Sequence, residues 1–93
     1  MRSTRFSELD DILSRYEGET LPSNLYNLAD DIHSFGLRRK YDPLSRFALN
    51  VSSLILSLTA YILSAEDVDS RLRARARSLA KRTITRLHNY SYL

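Results

Sequence analysis

Apolar residues recur every three or four positions along four stretches of the chain, the interval that stacks side chains on one side of an α-helix. Phe6, Leu9, Ile12, Leu13 and Tyr16 predict a first helix over residues 4–17. Ser7 and Asp10 have capping-box spacing in its first turn, and Gly18 stands where a terminating glycine is expected. Beyond the break at Thr20-Leu21-Pro22-Ser23, Leu25, Leu28, Ala29, Ile32 and Phe35 predict a second helix that ends at Gly36. Asp42 followed by Pro43 is a strong start signal for a third, because Asp accepts from free backbone N–H groups and Pro has none to leave unpaired. That helix runs to about residue 63, with Leu44, Phe47, Ala48, Val51, Leu54, Ile55, Leu58 and Ile62 as its expected core side.

The expected corner after it pairs Ser64 with Asp67 as a capping box and Leu63 with Val68 as a hydrophobic staple. A fourth helix is predicted over residues 65–88, its inward stripe formed by Val68, Leu72, Ala76, Leu79, Thr83 and Leu87. Glu66, Asp67 and Asp69 open it and Arg82, Arg86 and His88 close it, both favourable to the helix dipole. The run Arg71-Leu72-Arg73-Ala74-Arg75-Ala76-Arg77 alternates like a strand, but Arg, Leu and Ala favour helix and the helical stripe continues past it. Four such helices with short connections in 93 residues predict one all-α domain, an antiparallel four-helix bundle.

Charge divides the chain. Residues 1–37 hold three Arg against seven Asp and Glu, a net of −4, whereas residues 38–93 hold eleven Lys and Arg against four acids, a net of +7. The asymmetry fits either a basic binding surface or two halves that attract each other. With no cysteine, disulfides and thiolate chemistry are excluded. Nothing in Met1-Arg2-Ser3-Thr4-Arg5 and the polar residues after it resembles an apolar leader, so a cytoplasmic location is expected.

Residues 47–65 are uncharged over the length of a membrane span and follow Arg38, Arg39, Lys40 and Arg46, the pattern of a span with its N-terminus inside. Against that reading, Arg46, Asn50, Ser53, Ser57 and Ser64 form a polar line along one side, which suits a half-exposed helix of a bundle and offers a contact to a second helix in a homodimer. Arg71 with Arg75, and Arg73 with Arg77, extended by Lys81, Arg82 and Arg86, form a cationic face. Such a face is either solvated or neutralises phosphates, giving salt-sensitive nucleic-acid binding. His33 beside Asp30 and Asp31, and His88 far from it, lack the spacing of a metal site, and no nucleophile elbow, P-loop or dinucleotide fingerprint occurs. Binding without catalysis, cofactor or metal is expected. Tyr90 and Tyr92 in the closing segment either pack back on the bundle or stand out as recognition residues, a role for which Tyr and Arg are favoured.

Phe6-Ser7-Glu8-Leu9-Asp10-Asp11-Ile12-Leu13, Asp42-Pro43-Leu44-Ser45-Arg46-Phe47, the corner Ile62-Leu63-Ser64-Ala65-Glu66-Asp67 and the basic, aromatic end from Arg82 to Tyr92 together resemble the immunity proteins of pediocin-like (class IIa) bacteriocins. The resemblance covers most of the chain as a pattern of helix lengths and corner chemistry. It implies a cytoplasmic four-helix bundle that protects a cell from its own pore-forming peptide. The implied mechanism is non-enzymatic: binding, at the inner membrane face, to the sugar phosphotransferase permease that the bacteriocin has seized. In that family the C-terminal half carries specificity, which implies Arg82, Arg86, His88, Asn89, Tyr90 and Tyr92 as partner-binding residues.

Overall fold

The computed structural model describes residues 7–16, 21–38 and 42–91. Phe6, Gly18, Thr20, Arg39, Lys40 and Tyr92, with the expected outer ends of the first helix, lie outside them. Four helices follow in order: α1 (Ser7–Ser14), α2 (Pro22–Arg38), α3 (Pro43–Ser64) and α4 (Ser70–Ser91). Each packs on its chain neighbours, and α1 meets α4 to close the bundle, with α2 on α3 the most extensive pairing.

The core joins all four helices: Leu9, Ile12 and Leu13 of α1, Leu25, Leu28, Ile32 and Phe35 of α2, Leu49, Leu56 and Leu63 of α3, and Ala76, Ala80, Ile84 and Leu87 of α4. α1 and α2 bury the side that their periodicity indicates. α3 does not. Leu44, Phe47, Leu54 and Leu58, expected inside, are exposed, and Ala48, Val51, Ile55 and Ile62 are half-buried. The buried side is instead Ser45, Leu49, Ser53, Leu56, Thr59, Ala60 and Leu63. α3 is apolar around most of its circumference, so periodicity offers two sides and side-chain size points to the wrong one. The side with small residues wins because it admits a close neighbour: Gly36 of α2 lies against Leu49.

Burying Ser53 and Thr59 on that side costs little, because each bonds back to its own helix. Ser53 Oγ donates to the Asn50 carbonyl and Thr59 Oγ1 to that of Leu56, both at 2.9 Å. With Ser53 inside, the polar line from Arg46 to Ser64 is not one exposed contact surface. α4 is likewise turned from expectation. Ala76, Thr83 and Leu87 are buried as predicted, but Ala80 and Ile84 join them, while Leu72 and Leu79 remain partly exposed.

Start and stop signals are realised unevenly. Asp42 caps α3 as its sequence indicates, its Oδ2 accepting from Ser45 N at 3.2 Å, with Pro43 in the first turn. Pro22, read as part of a break, is the first residue of α2, a position where a missing N–H is harmless. Gly36 does not end α2, which continues to Arg38. α4 begins at Ser70 rather than 65, because Asp69 Oδ1 takes the Leu72 N–H at 2.8 Å and so outcompetes the expected Ser64–Asp67 box. Ser64 Oγ is spent on the Tyr61 carbonyl.

Candidate interaction surface

The last two turns of α4 carry the residues singled out in the sequence, and packing separates them. Tyr90 turns inward against the edge of the core. Its hydroxyl donates to Ser45 Oγ at 2.5 Å, and Ser45 Oγ donates to Asp42 Oδ1 at 2.6 Å. The ring is therefore tied to the start of α3 through a buried serine, the packing alternative of the two open for Tyr90. His88 points the other way, its Nδ1 3.3 Å from Asp10 Oδ1, in a pair that is about three-quarters covered. His88 thus joins α4 to α1. Arg82, Arg86 and Asn89 are exposed.

The packing leaves open a groove between α3 and α4 of about 340 Å³. Its floor and walls are Val51, Ser52 and Ile55 of α3 with Thr83 and Leu87 of α4, and its rim includes Phe47, Arg86 and Tyr90. The surface of this groove is mainly apolar, with one guanidinium and one phenol ring beside it. The sequence pattern points Phe47 and Val51 into the core; their place on the groove follows from the turn of α3 described above. Its size and lining can take an inserted apolar side chain or a small, mainly apolar ligand.

The cationic face also divides. Arg73 is engaged: its Nη2 donates to the Ala65 carbonyl at 2.6 Å and its Nε to that of Val68 at 3.5 Å. It closes the corner between α3 and α4, where a helix end leaves carbonyls without partners. Arg71, Arg75, Arg82 and Arg86 are exposed and recur at intervals of four, seven and four, so they line one side of α4.

Among the described residues, no group of three or more His, Asp or Glu converges as a metal site. The hydrogen-bonded set of Asp42, Ser45 and Tyr90 surrounds a serine that is only 1% exposed, and it caps a helix rather than facing a cavity. Tyr16 donates to Asp31 Oδ2 at 2.9 Å, linking α1 to α2; burial, then the bond to Asp31 and its negative charge, raise the phenol above its ordinary pKa. In comparison with known proteins, no family model, curated protein or solved structure matches this chain.

Proposed function

We propose that this protein is a non-catalytic binding protein whose recognition surface is the α3–α4 groove with the exposed end of α4. Within that class the reading taken is an immunity-type protein, acting at the inner membrane face on a sugar phosphotransferase permease held open by a pediocin-like bacteriocin. The observation that carries the binding reading is the open apolar groove of about 340 Å³ with Arg86 and Tyr90 beside it. Hot spots of protein interfaces take this form: an aromatic and an arginine around a pocket that excludes water. The immunity reading adds the four-helix bundle and the resemblance to that family over most of the chain. Arg82, Arg86 and Asn89 are the exposed contacts it offers, with Tyr90 shaping the groove wall.

The test is protection. Expressed in strains sensitive to a panel of pediocin-like peptides, the protein should rescue growth against at least one. Arg86→Glu, at an exposed position, should abolish rescue without unfolding the bundle. Unchanged killing across the panel sinks the immunity reading.

A second reading, nucleic-acid binding, is favoured by the line of Arg71, Arg75, Arg82 and Arg86. Four phosphate contacts predict an affinity that falls with salt at a logarithmic slope of about 3 to 4. Duplex binding that is flat in salt, or unaffected by Arg75→Ala with Arg82→Ala, rules it out.

A further inference from the structure

The outward side of α3 carries Leu44, Phe47, Val51, Leu54, Leu58 and Tyr61, at alternating intervals of three and four residues. This spacing forms a straight ridge along a helix. Leu44 is 75% exposed, Phe47 67%, Leu54 69%, Leu58 58% and Tyr61 65%. Side chains this open present on the order of 600 Å² of apolar surface, at the upper end of what a soluble monomer leaves uncovered. Elsewhere Leu37 of α2, 71% exposed, stands beside Arg46 and Asn50, and Leu79 of α4 is 39% exposed. By length and composition alone, α3 is long and apolar enough to cross a membrane. Its other side, though, is Leu49, Leu56, Ala60 and Leu63 packed in the core.

Beside the ridge runs the arginine line of α4. Arg86 shares the groove with Phe47 and Val51, which fixes the line on the ridge side of the molecule. No acid lies within α3 or α4: Asp42 stands before α3, and Glu66, Asp67 and Asp69 stand in the corner before α4. Asp10 of α1 faces His88, and Asp31 of α2 faces Tyr16. One side of the bundle therefore combines a bare apolar ridge with exposed guanidinium groups.

We propose that this side docks on an anionic lipid surface, with α3 lying in the plane of the interface. The ridge would enter the boundary between headgroups and acyl chains while the α4 arginines stay among the phosphates. Charge complementarity selects this occupant. A second copy seated on the ridge would bring its own arginine line to the rim of the same interface, and no carboxylate along α3 or α4 would meet it, since the acids here stand only at the helix ends. A nucleic acid would engage the arginines and leave the ridge in water. The inference goes beyond the function proposed above, because lipid docking stands whether or not a receptor fills the groove.

The experiment is flotation of the whole protein with phosphatidylcholine vesicles, with and without phosphatidylglycerol. Binding is expected to the anionic vesicles and to weaken as salt rises. Leu54→Ser with Leu58→Ser, exposed positions away from the groove, should weaken it by about tenfold or more. Arg75→Gln and Arg82→Gln should each weaken it by about fivefold. Circular dichroism checks that each variant keeps its helices, and either pair of substitutions alone suffices for the test. Failure to float with anionic vesicles, or binding that neither pair weakens, overturns the proposal. So does a dimer in light scattering that the ridge substitutions dissolve, since the ridge would then belong to a second copy.

Discussion

Gly36 sits inside α2 with helical neighbours on both sides, and nothing in its backbone demands a glycine. Replacing it by alanine removes the helix penalty of glycine, about 0.8–1 kcal/mol in a helix interior, largely by restricting the unfolded chain. The added methyl would meet Leu49 Cβ and Cδ1, each at 3.7 Å, an ordinary contact distance. Because the site is buried, that contact adds to the gain rather than opposing it. Gly36→Ala should therefore raise stability by about 1 kcal/mol, or about 4–8 °C in Tm for a domain of this size. Urea and thermal unfolding followed by far-ultraviolet circular dichroism would measure it, with an unchanged m-value as the sign that only stability moved. Gly36→Val, whose branched side chain extends past the methyl toward Leu49, should reverse the sign. A destabilised Gly36→Ala would refute the reasoning. It would mean that the α2–α3 approach needs an empty space here and that small residues set this contact more strictly than the distances indicate.

Arg73→Ala should cost about 1–2 kcal/mol, since it removes a charged donor from the Ala65 carbonyl at the end of α3; a change below a few tenths in urea unfolding would show that water replaces it freely. Tyr90→Phe should cost about 1 kcal/mol by deleting the bond to buried Ser45, while circular dichroism shows the helices retained. For Tyr16, the folded state favours the neutral phenol, so its contribution is complete below the ordinary phenol pKa of about 10 and declines above it, where the unfolded chain ionises first. The stability difference between the parent and Tyr16→Phe should be level up to that pH and then shrink; a difference that grows with alkalinity would contradict the assigned sign.

The helices were legible because their start signals and periodicity agree, as at Asp42-Pro43 and along Leu25 to Phe35. Boundaries were less so, because several residues compete for one role. Asp67 and Asp69 both stand ready to cap α4, and only the path of the corner selects Asp69. The glycine at 36 reads as a stop, yet its backbone stays helical and α2 runs on to Arg38, so the residue type alone did not mark the end. The candidate surface was half legible. Arg82, Arg86 and Asn89 are exposed as their setting in the chain suggests, but no local signal separates them from His88, whose partner Asp10 is far away in sequence. Nor does the sequence distinguish Arg73, which closes a corner, from the similar arginines around it.

The turn of α3 links the fold to the proposed activities. Leaving several large side chains in water forgoes roughly 1.5–3 kcal/mol each relative to full burial, a heavy loss for a small domain. A half-turn of α3 about its axis would place those side chains inside and bring Ser45, Ser53 and Thr59 out. The observed packing instead uses Ser45 as the anchor for both the Asp42 cap and the Tyr90 hydroxyl, and sets Leu49 against Gly36. Those contacts exist only with the ridge outward. Two consequences follow together from one register: Tyr90 is held at the groove wall, and the ridge lies on the same side as the α4 arginines. A substitution that loosened the Ser45 anchor would therefore disturb the groove and the ridge at once, even though it touches neither surface.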